Sequence, residues 1–358
     1  MDLRINDLMA EVLRLGASDL HIGVGHYPCL RIDGELRPFP DLHPLEREDV
    51  EKLISEILKP AQLESFHQNH ELDFSFTYRG TDGKAARFRG NCFYEMGNLA
   101  LALRLIPIRI RTLQELGLPK CLQGVTEQHR GLFLVTGPTG HGKTTTLAAL
   151  IDEINRNRQD HIVTIEDPVE YIYNSQKCIV HQREIGLDTK SFAEALRRVL
   201  RQDPDVILIG EMRDLETISS AITAAETGHL VFATLHTQDA AQSIDRIIDV
   251  FPPHQQQQIR IQLSGVLIGI CSQQLIPRPG GGRVVATEIL FANPAVRSCI
   301  REGKTSQVKN TIQTGAAAGM HSMEQCLAEK VNEGILPLDV AMEYAYDSKD
   351  LQRILFGQ

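Results

Sequence analysis

Residues 137–144 of this 358-residue chain read Gly137-Pro138-Thr139-Gly140-His141-Gly142-Lys143-Thr144, and no other stretch restricts the fold as tightly. The octet fits G-x-x-x-x-G-K-[ST]. A hydrophobic run, GLFLVT (131–136), precedes it, and a helical pattern, GKTTTLAALIDEIN (142–155), follows it. Glycines let successive backbone N–H groups turn inward around phosphate oxygens without Cβ clashes, and the helix N-terminus behind them adds positive potential. In such a loop Lys143 reaches the β- and γ-phosphates, and the Thr144 hydroxyl ligates Mg2+. A Gly-rich strand–helix turn with no ligand would leave the eight matching positions unexplained. The pattern predicts nucleotide binding.

Three more segments follow in the order a P-loop ATPase would place them. HIVTIEDPVEY (161–171) is a strand ending in Glu166, Asp167 and Glu170. DPDVILIGEMRD (203–214) is a hydrophobic strand ending in Glu211, where an acid would hold Mg2+ through water. GHLVFATLHT (228–237) ends in His236, where a polar side chain can sense a γ-phosphate. In parallel sheets ligands sit beyond the strand C-termini, so these tips are expected to converge on the loop. One such acid alone would read as a helix cap or a solvated loop residue. Together with the loop, the three tips read as a shared site. His229, just after Gly228, serves capping or packing as readily as chemistry. A strand with acids at its tip comes between the P-loop and the Glu211 strand, which suits a hydrolase whose carboxylate polarises the attacking water. Charge stabilisation also calls for arginine, with Arg89, Arg104, Arg197, Arg198, Arg201 and Arg213 as candidates.

The strand runs at 131–136, 161–166, 206–210 and 230–236 are apolar without clean alternation, as in parallel strands buried on both faces. Helical patterns separate them, including SFAEALRRVLRQ, where Ser191 and Glu194 are expected to form a capping box, and DLETISSAITAAE. This is α/β order. Upstream, a helix over about 3–16 leads to strands paired around Asp33-Gly34. A helix over 46–60 is expected to end at Pro60, and strand-like stretches follow at DFSFTYR, AARFRGNCFYE and LALALRLI. Pro107 and the run IPIRIRTL mark a linker, with the cut near 108. The tail from about 254 reads as mostly helical, interrupted by a hairpin edge at PRPGGGRVVATEIL.

Composition narrows the partners. A hydrophobic share of 42% and a charged share of 23% suit a folded globular chain. Apolar runs stay far below the ~20 residues that span a bilayer, and the acid-bearing first helix is no signal peptide, so a cytoplasmic location is expected. The net charge of −9, the lack of Trp and 5% aromatics disfavour nucleic acid as a partner. Seven scattered cysteines without a CxxC pair read as reduced core thiols.

GPTGHGKTTT, IEDPVEY, GEMRD and TAAETGHLVFATLHT resemble the P-loop, Asp box, Walker B and His box of the type II/IV secretion ATPases. ASDLHI, IDRIIDVFP, GGGRVVATEIL and QTGAAAGMHSMEQ extend the resemblance over nearly the whole chain. Within that superfamily the sequence is most similar to the pilus-retraction (PilT-like) ATPases. The resemblance implies a PAS-like α+β N-terminal domain over 1–108, a RecA-like ATPase domain over 109–290 and a helical C-terminal region over 291–358. It implies a homo-hexameric ring that uses ATP and Mg2+ at the cytoplasmic face of the inner membrane, engaging the pilus platform protein and held to the membrane through such partners. It assigns the phosphate cradle to Gly137, Pro138, Thr139, Gly140, His141, Gly142, Lys143, Thr144 and Thr145, and catalysis to Glu170, with Glu166 beside it. Glu211 becomes the Walker B acid, His229 and His236 the His box, and Arg89 and Arg104 the arginines that close on the γ-phosphate.

Pilus-extension and secretion ATPases of the same superfamily are longer at the N-terminus and usually carry a tetracysteine insertion. Two departures from the retraction pattern stand out. The family's AIRNLI motif is Ala295-Val296-Arg297-Ser298-Cys299-Ile300 here, and His141 replaces the common Ser, where a solvent-facing loop residue is expected. The remaining alternatives are a nucleic-acid translocase and a nucleotide-binding regulator without turnover.

Overall fold

The computed structural model describes residues 3–32, 34–39, 42–80, 85–106 and 109–357. Two units form, Met1–Arg109 with Glu170–Ile172, and Ile110–Val169 with Tyr173–Gln358.

In the first unit, α1 (Ile5–Leu15) buries Ile5, Leu8, Met9 and Val12, the i, i+3, i+4, i+7 stripe of an amphipathic helix. It stops at Gly16, whose φ of 64° suits glycine. Then come β1 (Asp19–Gly23), β2 (Cys29–Ile32), β3 (Glu35–Pro38), α2 (Arg47–Ser55), α3 (Pro60–Asn69), β4 (Glu71–Arg79), β5 (Ala85–Glu95) and β6 (Asn98–Leu105). The sheet is antiparallel in the order β3-β2-β1-β6-β5-β4. Leu8, Val12, Leu53 and Phe66 from the helices share one core with Phe74, Phe88 and Leu101 from the strands. Pro60 corrects the expected helix over 46–60. It begins α3 instead of ending α2, because a first-turn residue needs no N–H partner. Asp33 of the expected Asp33-Gly34 turn, and Pro107 and Ile108 of the expected linker, lie outside the described residues.

The second unit opens with α4 (Gln123–Thr126), β7 (Gly131–Thr136), α5 (Lys143–Asn157), β8 (His161–Glu166), β9 (Ile179–Glu184), α6 (Phe192–Val199), β10 (Val206–Ile209), α7 (Leu215–Glu226) and β11 (Leu230–Leu235). It continues through α8 (Ala240–Asp249), α9 (Pro253–Val266), β12 (Leu267–Pro277), β13 (Arg283–Phe291), α10 (Pro294–Glu302), α11 (Val308–Gln313), α12 (Met323–Asn332), α13 (Leu338–Tyr344) and α14 (Ser348–Phe356). Seven strands line up as β13-β12-β7-β11-β10-β8-β9, all pairings parallel except β12 with β13. Every residue of β7 and β11 is buried, as a sheet covered on both faces requires.

Two of these strands differ from the expected pattern. β9 is a polar edge strand, Ile-Val-His-Gln-Arg-Glu, with little apolar signal. β12 follows α9 with no turn residue between them, so an apolar run read as tail helix is half helix and half strand. Chain order and sheet order differ as well. β11, not the acid-tipped β8, lies between β7 and β10, and β8 sits beyond β10. Half of the expected capping box on α6 forms. Ser191 accepts from the Glu194 N–H, while the Glu194 carboxylate accepts from Arg198 instead.

Candidate active site

Gly137, Gly140 and Gly142 hold φ values of 139°, 80° and 83°, a left-handed backbone that side chains resist. The loop therefore closes tightly between β7 and the first turn of α5. The buried Lys143 ammonium donates to the Gly137 and Pro138 carbonyls at 2.8 and 3.0 Å, so the loop's own backbone satisfies the charge. Thr144 and Thr145 follow in that first turn, both half-buried.

The neighbouring strand tips converge on this loop. His236, just past β11, stands 3.2 Å through Nδ1 from the Thr139 hydroxyl and 3.5 Å through Nε2 from a Glu211 oxygen. Arg213 holds the other Glu211 oxygen at 2.7 Å. A chain of polar contacts thus runs from the loop through Thr139, His236 and Glu211 to Arg213, across the ends of β7, β11 and β10. With Nδ1 accepting from the threonine, Nε2–H faces the carboxylate.

The other expected residues stand elsewhere. Glu166 is buried at the end of β8, where its Oε1 accepts from Thr164 at 2.6 Å and Gln182 at 3.2 Å. Asp167 and Glu170 are exposed, and Glu170 belongs to the segment grouped with the first unit. His229 sits at the start of β11, six residues and about 20 Å of strand from the loop end. Its Nδ1 lies 2.9 Å from the Ala224 carbonyl at the end of α7, a capping contact. Within one chain the two histidines are therefore not neighbours. Among the arginines only Arg213 joins the wired tips. Arg197 and Arg198 pair with Glu216 and Glu194, and Arg201 is exposed just past α6.

Arg89 and Arg104 face each other across β5 and β6. Asp19 lies opposite Arg104 on β1 and accepts its Nε–H at 2.7 Å, and Arg31 lies opposite Asp19 on β2. Like charges side by side on a sheet repel, and Asp19 offsets that repulsion.

His141 corrects the expected solvent-facing residue. Its Nδ1 accepts from the Leu275 N–H of β12 at 3.1 Å, and its carbonyl accepts from Gln273 Nε2 at 2.6 Å. Burial, with Lys143 and Arg283 nearby, lowers its pKa and keeps the lone pair free to accept. The Gln273 Oε1 in turn accepts from Thr146 on α5, and Ser272 accepts from Thr136 on β7. These β12 residues were missed by sequence reasoning. The one available signal was three polar residues, Ser272-Gln273-Gln274, inside an otherwise apolar run. Arg297, in the altered C-terminal motif, donates to the Ser264, Gly265 and Leu267 carbonyls that close α9. The replacements beside it fit, with Ser298 donating to Glu302 at 2.7 Å and Cys299 packed against the main core.

A phosphate-binding loop wired to an acid and a histidine at neighbouring strand tips is the geometry of a nucleotide hydrolase. The family model described as type II/IV secretion system protein matches residues 2–281. The chain belongs to that family. Secretion-family relatives match nearly end to end. A type IV pilus retraction ATPase, PilT, of Pseudomonas aeruginosa is 48% identical over 95% of this chain and 98% of its own. A twitching motility protein of Neisseria gonorrhoeae is 46% identical over 90% and 86%, and the pilus ATPase PilU of Pseudomonas aeruginosa 38% over 99% and 91%. A crystal structure of the retraction motor PilT with bound ADP superposes with a TM-score of 0.92 at 48% identity, covering 98% of this chain and 99% of that one. The Legionella pneumophila ATPase DotB follows at 0.79 and 27%, covering 95% and 94%. As in the rest of this secretion family, the core is an α/β P-loop ATPase.

Proposed function

We propose that this chain is an ATP-hydrolysing motor that powers type IV pilus retraction, withdrawing pilin and so driving twitching motility. The observation that carries the reading is the near-full-length similarity, in sequence and fold, to a retraction motor whose structure holds ADP. The motor works as a homo-hexameric ring at the cytoplasmic face of the inner membrane, against the pilus platform protein. Membrane association runs through those partners; among the described residues no helix is long and apolar enough to cross a membrane.

ATP settles with its phosphates over the loop, and Lys143 exchanges two carbonyl partners for phosphate oxygens, which form stronger charge-assisted bonds. Thr144 and Glu211 offer the hard oxygen donors that suit Mg2+, and no cluster of three His, Cys, Asp or Glu placed to hold a metal occurs among the described residues. Bound there, the ion would supply positive charge against the negative charge that develops on the transferring phosphate. Glu170 takes a proton from the water whose oxygen attacks the γ-phosphorus, and the bond to the bridging oxygen breaks to release ADP. His236 registers the γ-phosphate through Thr139 and relays its loss to Glu211. Arg89 and Arg104 close on the same phosphate and open after hydrolysis, and that motion displaces the central partner.

The test begins with Lys143→Ala. Losing two charge-assisted bonds should weaken ATP binding by about 100-fold or more. In the source organism the same change should raise the surface-pilus count seen by electron microscopy and abolish twitching. Bald cells would instead assign the motor to pilus assembly. A second reading, an accessory pilus ATPase, draws on the Ser298-Cys299 replacement, and an unchanged pilus count would favour it.

A further inference from the structure

A phosphate cradle works only if the loop's N–H groups point inward, which requires its carbonyls to point outward. In a trans peptide the C=O and the following N–H project in opposite directions. Whatever holds the His141 carbonyl outward therefore aims the Gly142 N–H inward, at the place where phosphate oxygens sit. The group that holds it is Gln273, whose Nε2 donates to that carbonyl at 2.6 Å.

Gln273 is 1% exposed on β12, and its amide cannot turn over without losing a second bond, because Oε1 accepts from the Thr146 hydroxyl at 2.8 Å. Thr146 lies on α5, behind the loop, so one side chain ties the loop to both the strand beside it and the helix behind it. The backbone of Gln273 matters too. A Cβ on Gly137 would collide with the Gln273 carbonyl oxygen, so β12 packs directly against the start of the loop. The Leu275 N–H, two residues on, holds the His141 ring itself.

We propose that Gln273 is a positioning residue for phosphate binding, which presents the Gly142 N–H to the nucleotide by holding the His141 carbonyl. The inference rests on the ATPase reading and deepens it. Its lever is binding rather than chemistry, since an N–H aimed at a phosphate bonds ATP and ADP alike.

Titration of the full-length protein with ADP and with ATP tests this, alongside steady-state kinetics and a thermal melt. Gln273→Met fills the same space without the amide. It should weaken ADP and ATP about tenfold each, or about 1.4 kcal/mol, while kcat at saturating ATP stays within about twofold. Gln273→Glu keeps the acceptor for Thr146 but sets a carboxylate oxygen against the His141 carbonyl, and should lose more. Thr146→Val frees the amide to turn and should cost about threefold in affinity alone. Combined with Gln273→Met it should cost nothing further, because it acts through the same amide. Unchanged ADP affinity in Gln273→Met, or losses that add in the double variant, would overturn the proposal. If Gln273→Met does not fold, normal ADP affinity in both Gln273→Glu and Thr146→Val overturns it as well. A wild-type chain that binds neither nucleotide would instead overturn the ATPase reading.

Discussion

The loop strand β7 has two flanks, and they grip the phosphate loop in different ways. On the β11 side, His236 reaches a loop side chain, Thr139, at 3.2 Å and Glu211 stands 3.5 Å behind the histidine, whose side chain is 44% exposed. On the β12 side, Ser272, Gln273 and the Leu275 N–H reach the loop's backbone, its ring and its flanking threonines through bonds of 2.6 to 3.1 Å, the threonine bonds buried and the His141 bonds partly buried. Exposed groups with loose, charge-bearing partners can exchange them when a nucleotide arrives. Buried groups with saturated bonds cannot, because an orphaned buried polar group costs roughly 1–3 kcal/mol. One flank is built to change state and the other to keep a shape.

That contrast breaks most directly at Glu211. Glu211→Gln keeps an oxygen for Arg213 but removes the charge that faces His236. If the β11 flank carries the chemistry, kcat should fall by about 10²–10³-fold. ADP affinity should stay within about threefold, and the melting temperature should hardly move. Single-turnover hydrolysis and nucleotide titration on the same preparation separate these outcomes. Near-normal turnover would remove the chemistry from that flank.

The opposite signature is expected at Glu288 on β13, the strand beyond β12. This carboxyl sits opposite Ser272 and accepts from the Ala240 N–H at 2.9 Å, capping the start of α8. Burial raises its pKa to about 7. An acid with a raised folded pKa binds its proton more tightly in the native state than in the unfolded chain. Stability from this group is therefore present below its unfolded pKa and falls as pH rises toward 7. The span between an ordinary glutamate and about 7 corresponds to roughly 3 to 4 kcal/mol. Glu288→Gln retains the acceptor without the charge. Denaturant melts should show the wild-type protein losing stability between about pH 4.5 and 7 and the variant losing less, with kcat little altered. Parallel stability curves for the two proteins would show that burial of this carboxyl does not govern stability.

The two flanks also differ in how far the sequence discloses them. Lys143, Glu211 and His236 were legible because each lies at a motif position, beside glycines or at the end of an apolar run, and the parallel-sheet rule places such tips together. Gln273 was not, because it is 130 positions from Lys143 and follows a helix with no turn residue to mark the change. A hydrogen bond to a backbone carbonyl leaves no pattern in the chain, since any loop offers carbonyls. The same holds for Pro60, whose meaning as a stop or a start depends on which side of it packs. His141 looked like a loop residue for want of β12 beside it. Apolar, β-branched runs without clean alternation disclosed the strands, but not that β11 would lie between β7 and β10, which is a matter of crossover and not of composition.

A smaller test lies within β11 itself, whose two ends carry one histidine each. His229 contacts the last turn of α7 through the Ala224 carbonyl and Thr227, both fixed groups. His236 contacts the exposed Thr139 and the half-buried Glu211, both at strand tips. His229→Ala removes a cap worth about 1 kcal/mol, and should lower the melting temperature by a few degrees. His236→Ala should leave the melting temperature nearly unchanged and lower kcat about tenfold, the worth of one hydrogen bond to a charged partner in the site. Thermal melts of the two variants run side by side decide the matter. Equal destabilisation by both would mean that His236 is a structural tie like its counterpart, and the distinction between a flank that moves and a flank that holds would then fail at the residue where the two readings differ most.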